Sequence, residues 1–386
     1  MRATRAVIYL NNFKQNLLEI RKLVGERRKI CVSVKADAYG HGAVECAKAA
    51  VQAGADALAV ATVDEGAELR RAGIDCTILL LSLCMKDEMD EAVENRLTPL
   101  VFGAEYIALF EDAAEKNLPS GEKFAVHLAV DTGMGRIGCL SAEAAREATM
   151  IASSSSLLLG GICTHFAVAD SILESDREYT KKQISDFLSA VEAVRRAGIS
   201  PGIVHASSSG ALLDLSEARF DMVRPGIVAY GYYPGDITEK YLAEKGESVH
   251  LEPVMALETR IAAVRDFQTG KSISYGHTWT AQKDMKIGVL PIGYADGLFR
   301  RFAASGDFSV AVNGKAGFVR GRICMDQCMI DLDGTDAKVF DRVVIFGPKS
   351  SGALQNADDI ARKIGTIAYE ITCGVSKRVP RVFRTL

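Results

Sequence analysis

The segment CVSVKADAYGHGAVECAKAAVQAGADALAVA, residues 31–61, holds the pattern that decides the fold. A short β-branched run, CVSVK (31–35), leads into a helix-like stretch that ends at Gly54, and a second run, ALAVA (57–61), follows. Glycine is the residue that most often ends a helix. Two strand-like runs joined by a helical crossover are typical of a parallel βα unit.

The same pattern repeats along the chain until about residue 245. Six more strand-like runs follow, and they are TILLL (77–81), LTPLV (97–101), FAVHLAV (124–130), LLGGICTH (158–165), IVHAS (203–207) and DMVRPGIVAYG (221–231). Helix-like segments such as DEGAELRRAG (64–73) and SDFLSAVEAVRRAG (185–198) separate them. Eight parallel strands close a (β/α)8 barrel, which is the α/β fold that we predict. The alternative is an open doubly wound sheet, but the GxGxxG motif that usually follows the first strand of such a sheet is absent.

Beyond that point the pattern changes to strand-like runs punctuated by Gly and Asp. These runs are KSISYG (271–276), KIGVLPIGYADG (286–297), DFSVAVNG (307–314), GFVRGRICMDQCMIDLDG (317–334) and DRVVIFG (341–347). Only NADDIARKIG (356–365) has the pattern of a helix. We therefore predict a barrel domain over residues 1–245 and a mainly β domain over residues 246–386. Residues 1–10 are the one part of the first range that could instead join the β domain.

Composition excludes several classes of function. The 386 residues include 46 Lys and Arg against 49 Asp and Glu, a net charge of −3 that argues against nucleic-acid and membrane partners. The N-terminus lacks the apolar stretch of a signal peptide. Nine scattered cysteines predict free thiols in the reducing cytoplasm. Cys324 and Cys328 have no second Cys or His pair at zinc-site spacing, so we predict no metal site.

Polar residues fall where a barrel places its active site, at the carboxyl ends of the strands. Lys35 closes the first run, Arg136 follows the fifth, and His165 ends the sixth. A lysine that is partly desolvated beside another cation has a lowered pKa and can form a Schiff base. Taken singly, each of these side chains has a more ordinary explanation: a lysine that reaches solvent, an arginine in an ion pair, a histidine in the core.

Two segments after the seventh and eighth runs are suited to binding phosphate. Ser207, Ser208 and Ser209 precede a helix-like segment, and Gly226 follows Arg224 and Pro225. Hydroxyls and helix N-terminal amides donate to phosphate, and glycine allows close backbone approach. A Schiff-base lysine, a phosphate cradle and a barrel together favour pyridoxal 5′-phosphate (PLP) chemistry. A phosphosugar aldolase is the competing interpretation, but it should have one domain and a lysine on a later strand.

Eight motifs occur in order along essentially the whole chain. They are SVKADAYGHG (33–42), HLAVDTGMGRIG (127–138), THFAVAD (164–170), MVRPGI (222–227), ISYGHTW (273–279), IGYADG (292–297), GRICMDQCMID (321–331) and RVPR (378–381). On these motifs the chain closely resembles the bacterial alanine racemase family. The resemblance implies a PLP-binding (β/α)8 barrel followed by a β domain. It also implies a head-to-tail homodimer in which the β domain of one chain completes the barrel mouth of the other.

The resemblance also assigns roles to residues. Lys35 binds PLP as a Schiff base and acts as one acid/base, and Tyr275 from the partner chain acts as the other. The phosphate ligands are Tyr39, Ser209, Gly226 and Ile227. The residues around the PLP ring are His165, Arg224, which faces the pyridine nitrogen, and Arg136, which also binds the substrate carboxylate. The substrate-side residues are the backbone N–H of Met325 and, in the access corridor, Tyr294, Asp170, Arg300 and Arg322.

The implied function is the interconversion of L- and D-alanine by two-base proton exchange, which supplies D-alanine for peptidoglycan. A serine racemase or a broad-specificity amino-acid racemase of the same fold is the alternative. Two positions depart from the family pattern. Ala129 stands where many members have a lysine, often carbamylated, so Arg136 needs another counter-charge, for which we predict a bound anion or a water-mediated link. Lys377 stands where many members have a tyrosine, and this leaves substrate breadth open. A non-catalytic PLP-binding protein would lack the β domain, and a PLP decarboxylase would carry a different C-terminal motif.

Overall fold

The computed structural model describes residues 2–304 and 306–385. In chain order, the strands of these residues are β1 Arg5–Tyr9, β2 Lys29–Ser33, β3 Ala57–Val60, β4 Thr77–Leu80, β5 Thr98–Val101, β6 Phe124–Asp131, β7 Cys139–Leu140, β8 Leu157–Cys163, β9 Ile203–His205, β10 Met222–Val223, β11 Met255–Arg260, β12 Ala263–Phe267, β13 Ser272–Ile273, β14 Trp279–Thr280, β15 Met285–Leu290, β16 Ser309–Val312, β17 Lys315–Arg320, β18 Cys328–Asp331, β19 Arg342–Phe346 and β20 Arg381–Arg384. The α-helices of the same residues are α1 Leu10–Val24, α2 Lys35–Gly40, α3 Ala43–Gln52, α4 Val63–Arg71, α5 Met89–Glu94, α6 Ala104–Asn117, α7 Ala144–Ser153, α8 Glu174–Arg196, α9 Ser209–Asp214, α10 Glu239–Glu244, α11 Ala357–Ile364 and α12 Ala368–Cys373.

The N-terminal region is a closed barrel of parallel strands, as predicted. Its strands lie in the order β5, β4, β3, β2, β10, β9, β8, β6, and pairing between β5 and β6 closes the ring. The predicted runs match these eight strands because barrel strands are covered on both faces and therefore consist of apolar residues. The carboxyl ends of all eight strands consequently meet at one mouth.

The last barrel strand is shorter than its apolar sequence predicts. The run 221–231 forms a strand only at Met222–Val223. Pro225 has no N–H for the ladder, although its carbonyl still accepts a bond of 2.9 Å from the Ser33 N–H. The chain then turns at Gly226 into a 3₁₀ turn over Ile227–Tyr230. This early end brings Arg224 and Gly226 to the barrel mouth.

Several helices have bounds that the pattern did not predict. Helix α1 was not predicted, although its buried residues Leu10, Phe13, Leu17, Ile20 and Val24 have helical spacing. Helix α8 begins at Glu174, before the predicted start at residue 185. Its first turns are polar, and the prediction rested on the apolar stripe that follows them. Helix α4 begins at Val63, and the side chain of the preceding Thr62 caps it while Glu65 reaches back to the cap amide.

The C-terminal domain is mainly β, as predicted. A nine-stranded sheet runs in the order β12, β15, β18, β17, β16, β19, β11, β1, β20. The N-terminal strand β1 pairs with β11 antiparallel and with β20 parallel. Strands β1, β11, β12, β14 and β20 and helix α12 were not predicted. No helix among the described residues is both long and apolar enough to cross a membrane.

Candidate active site

The first predicted site residue, Lys35, lies in an unusual backbone segment. Strand β2 ends at Ser33, two residues earlier than predicted, and Lys35 begins the short helix α2. The φ angles of Ala36, Asp37, Ala38 and Tyr39 are 52°, 54°, 53° and 54°, so this turn is left-handed. A left-handed helical residue costs roughly 1–2 kcal/mol, so these four together cost about 4–8 kcal/mol. The surrounding structure must offset that cost.

Contacts from His41 and Arg381 hold the far end of the left-handed turn. The ring Nδ1 of His41 lies 2.9 Å from the Ala38 carbonyl oxygen and 3.0 Å from that of Tyr39. Arg381, from the C-terminal strand β20, donates through Nε to the Gly40 carbonyl at 3.0 Å. Only glycine fits position 40, where φ is +84° and an added Cβ would lie 2.2 Å from the Thr372 carbonyl oxygen.

The environment of Lys35 favours a neutral amine. Lys35 is half-buried, and burial is the largest cause that lowers its pKa. Arg136 and Arg224 lower the pKa further, while Glu65 opposes them. A lysine whose pKa is lowered by burial and by neighbouring cations is a better nucleophile at neutral pH. These are the properties that a Schiff-base lysine requires.

The buried cation at the barrel mouth, Arg224, is surrounded by hydrogen-bond acceptors. Its Nη1 lies 2.6 Å from His205 Nδ1. Its Nη2 donates to the carbonyl oxygens of Thr164 and Ala206, both at 2.9 Å, and lies 3.3 Å from His165 Nδ1. Four contacts fix the guanidinium plane, so a ring nitrogen placed against it would meet a cation rather than a carboxylate.

Arg224 also fixes the protonation of two histidines. An arginine can only donate, so His205 Nδ1 accepts and its Nε2 carries the proton. That Nε2 in turn donates to His127 Nδ1 at 2.8 Å. Burial, reinforced by Arg224, lowers the pKa of His127 to about 4 and that of His165 to about 3. The pKa of His205 is likewise lowered well below its ordinary value. The histidines beside Arg224 are therefore neutral at physiological pH.

Three of the four predicted phosphate ligands line one cavity, and the fourth, Ile227, follows Gly226 in the chain. A cavity of about 240 Å³ is lined by Lys35 together with Tyr39, Ser209 and Gly226. The Ser209 hydroxyl accepts from the Gly226 N–H at 3.0 Å, and Ile227 opens the 3₁₀ turn that follows. A Cβ on Gly226 would lie 2.7 Å from the Tyr39 hydroxyl oxygen. Glycine at position 226 therefore leaves the Tyr39 hydroxyl in place beside the cradle, whereas a side chain there would displace it.

Arg136 and Ala129 line a second cavity, of about 370 Å³, which also shares Lys35 and His165. Ala129 is buried and packs with Leu100 and Cys163 in an apolar cluster. Arg136 is exposed, and no carboxylate of the described residues lies within ion-pair distance of it. The missing lysine at position 129 is therefore not replaced by an acidic side chain, and the bound anion stays a prediction.

The predicted residues of the C-terminal domain lie elsewhere in the single chain. Tyr275, Met325 and Tyr294 have exposed fractions of 68%, 53% and 39%, and none of them lines either cavity beside Lys35. They belong to neighbouring segments, because the Tyr294 N–H donates to the Cys324 carbonyl and Ser274 donates to that of Arg322. We call this exposed group, Tyr275, Tyr294 and Met325, the tyrosine patch.

The remaining predicted residues have mixed placements. Asp170 lines the cradle cavity, whereas Arg300 and Arg322 line a separate cavity in the C-terminal domain. Lys377 is exposed and lines neither cavity beside Lys35. No group of three or more His, Cys, Asp or Glu side chains in the described part of the chain is arranged to hold a metal ion.

Sequence reasoning missed two residues at the barrel mouth. His205 ends the seventh strand just as His165 follows the sixth, and this shared position was the available signal. The sequence around Glu65 indicates only a helix cap, because its hydrogen bond to the Ala36 N–H joins two segments that are far apart in sequence.

A parallel barrel whose mouth brings together a desolvated lysine, a fixed arginine and the residues Tyr39 and Ser209 is typical of barrel-fold PLP enzymes. The model of the alanine racemase N-terminal domain matches residues 8–234, and that of the alanine racemase C-terminal domain matches residues 254–383. The chain therefore belongs to the alanine racemase family, whose members are PLP-dependent isomerases.

Relatives and solved structures agree with this membership. The alanine racemase of Treponema denticola is 46% identical, covering 99% of this chain and 98% of its own. That of Treponema pallidum is 43% identical, covering 99% and 100%. The solved alanine racemase of Clostridium difficile has a TM-score of 0.91 at 38% identity, covering 100% of this chain and 96% of its own. That of Bacillus anthracis with bound L-Ala-P has a TM-score of 0.89 at 33% identity, covering 100% and 96%.

Proposed function

We propose that this protein interconverts L-alanine and D-alanine at the barrel mouth, with PLP as cofactor. The observation that carries the proposal is the convergence of Lys35, Arg224 and the phosphate cradle on one cavity, which shares Lys35 and His165 with a second. The relatives named above are alanine racemases, and none of those names favours serine or a broad range of amino acids.

The residues at the barrel mouth fit PLP. The cradle cavity has room for a phosphate, Tyr39 and Ser209 line it, and glycine at position 226 leaves the Tyr39 hydroxyl in place. Tyr39, Ser209 and the backbone of Gly226 and Ile227 would hold that phosphate. When bound, PLP supplies a conjugated system that stabilises negative charge at the substrate Cα.

Arg224 would act on the ring nitrogen of the cofactor, and Arg136 on the carboxylate of the substrate. Burial lowers the pKa of Arg224, but a guanidinium keeps its proton at neutral pH. This fixed cation would keep a facing ring nitrogen free of a proton and disfavour full electron withdrawal into the ring. Weaker electron withdrawal suppresses side reactions and favours simple proton exchange. Arg136, exposed and free of a carboxylate partner among the described residues, is available to bind the carboxylate of an amino acid.

Racemisation needs a proton removed from one face of Cα and another delivered to the opposite face. The Lys35 amine, with its lowered pKa, serves one face. We assign the other face to Tyr275 of the partner subunit in a homodimer. The tyrosine patch supports this assignment, because its aromatic side chains are exposed and lie outside the cavities of their own chain. A second copy that buries the patch against the barrel mouth would complete the site.

Mixed dimers test the shared site. Lys35→Ala and Tyr275→Phe homodimers should each lose nearly all activity. A mixture that exchanges subunits should regain some, because one of the two mouths in each heterodimer then holds both intact residues. Mass spectrometry of the exchanged dimers supplies the control. Proven exchange without regained activity would argue against a shared site.

Three further proposals complete the functional account. The chain divides into a barrel domain over residues 1–245 and a β domain over residues 246–386, and the pairing of β1 with β11 and β20 supports counting residues 1–10 with the β domain. The protein works in the cytoplasm, since all nine cysteines are free thiols. Its product, D-alanine, is used for peptidoglycan.

A further inference from the structure

We propose that Glu65 is a positioning residue for Lys35, holding the left-handed turn in the orientation that directs the lysine into the barrel mouth. This inference deepens the proposed function and rests on it, because it assumes that Lys35 is the reactive amine. Glu65 lies on helix α4, which follows the next barrel strand, so it reaches the turn from a neighbouring βα unit.

Both oxygens of the Glu65 carboxylate are engaged. Oε1 accepts from the Ala36 N–H at 2.7 Å. Oε2 accepts from the Ala61 N–H at 2.8 Å and from that of Thr62 at 3.4 Å. The carboxylate therefore ties the first left-handed residue after Lys35 to the end of strand β3. Ala36 is exposed, so its amide could otherwise bond to water and leave the turn free to shift.

This bond acts at the near end of the left-handed turn, beside Lys35. The far end of the turn has its own clamps, from His41 and Arg381, and both act on carbonyls at positions 38 to 40. At the near end, Glu65 is the side chain that holds the amide next to Lys35. A left-handed turn fixed at both ends leaves the lysine backbone one orientation, whereas release of the near end would let Lys35 move.

Glu65 also contributes its charge. The charged and titratable groups that act on the Lys35 amine are Arg136, Glu65, Arg224 and Cys373. His165 also faces Lys35 and is neutral, because its pKa is lowered to about 3. The two arginines favour the neutral amine, and the thiol of Cys373 has a raised pKa and is protonated at neutral pH. Glu65 is therefore the carboxylate that limits how far the arginines lower the pKa of Lys35.

Glu65→Gln separates these effects from helix capping. A glutamine has a single acceptor oxygen, so the Ala36 or the Ala61 amide loses its partner, and the negative charge disappears. Thr62→Ala breaks the same capping box on α4 but leaves the bond to Ala36, so it is the matched control. Glu68→Gln, an exposed position on the same helix, controls for loss of charge alone. Glu65→Asp keeps the charge but is too short to reach both amides.

The first readout uses the apoprotein and needs no turnover. Competitive acetylation followed by mass spectrometry measures the pKa of Lys35. We expect Glu65→Gln to lower that pKa by ~0.5 unit or more, discounted for solvent screening, and both control variants to leave it unchanged.

The second readout is the pH profile of racemisation by the PLP-loaded protein. We expect kcat to fall ~10–100-fold in Glu65→Gln and in Glu65→Asp, with the pH profile displaced only in the former.

The experiment distinguishes failure of the Glu65 inference from failure of the proposed function. If Glu65→Gln matches Thr62→Ala in Lys35 pKa, kcat and pH profile, Glu65 is only a cap and the inference is overturned. If Glu65→Gln does not fold, full activity of Glu65→Asp overturns it equally. If the wild-type protein racemises no amino acid, the proposed function fails, while the acetylation experiment still decides whether Glu65 acts on Lys35.

Discussion

Replacing Gly226 with alanine tests the phosphate cradle most sharply. The new Cβ would lie 2.7 Å from the Tyr39 hydroxyl oxygen, against an ordinary contact of 3.4 Å or more. The hydroxyl must therefore move by about 0.7 Å, the difference between 3.4 Å and 2.7 Å, to reach an ordinary contact. It cannot move freely, because the Tyr39 ring packs on the buried Tyr230 with centroids 4.9 Å apart. We expect the hydroxyl to lose its bond to the phosphate of PLP.

The size of the loss follows from that single bond. A hydrogen bond to a charged group contributes about 1.5–3 kcal/mol, which corresponds to a ~10–150-fold higher Kd for PLP. The assay is an equilibrium titration of the apoprotein with PLP. Gly160→Ala is the matched control, because its Cβ would meet its nearest neighbours at ordinary distances of 3.4 Å and 3.5 Å.

A double-mutant cycle identifies the cause. Tyr39→Phe alone should weaken PLP binding by a similar factor, since it removes the same hydroxyl. In the Tyr39→Phe background, Gly226→Ala should cost little, because the nearest remaining atoms, Tyr39 Cζ and Ser209 Oγ, lie at 3.5 Å and 3.6 Å. If Gly226→Ala weakens binding equally in both backgrounds, the steric argument through Tyr39 is refuted.

Two further predictions concern stability. Gly40→Ala should lower the free energy of unfolding, measured by urea denaturation, by more than ~3 kcal/mol, because its Cβ would lie 2.2 Å from the Thr372 carbonyl oxygen. Gly54→Ala is the control: its φ of +87° is similar but its Cβ would meet open space, so it should cost only about 1–2 kcal/mol. Equal costs would contradict the close packing of the turn. Acid should also destabilise the protein: burial lowers the pKa of His41 and His127 to about 4 from the ordinary 6.5, so below pH 6.5 only the unfolded chain takes up their protons. Stability should fall by up to ~1.4 kcal/mol per pH unit per histidine between those values, and identical urea midpoints at pH 7 and pH 5 would contradict this.

The barrel was predictable because each βα unit repeats the same sequence pattern over a short stretch of chain. Strands covered on both faces, such as β3, are short apolar runs, and helices such as α4 carry their own caps. Strand β12 was missed because its residues, AVRDF, are half-buried or exposed and lack an apolar pattern. The left-handed turn could not be predicted at all. Alanine at positions 36 and 38 favours a right-handed helix, and only contacts from distant residues such as Arg381 impose the other hand.

The site was predictable where side chains follow barrel strands. Lys35, His165 and Arg224 meet at the mouth because parallel strands all end there. Tyr275 could be assigned only by resemblance, since its own chain leaves it 68% exposed and outside the cavities beside Lys35. The role of Glu65 depends on two βα units lying side by side, which the linear pattern does not encode.

The central claim is that this chain racemises alanine at the Lys35 site. The most direct test is to incubate the PLP-loaded protein and its Lys35→Ala variant with a panel of L-amino acids, including alanine and serine, and to separate the products by chiral chromatography. We predict that D-alanine forms far faster than any other D-amino acid, and only with the wild-type protein. Comparable rates for several amino acids would contradict the assignment to alanine, and absence of any D-product from the PLP-loaded wild-type protein would contradict the catalytic account as a whole.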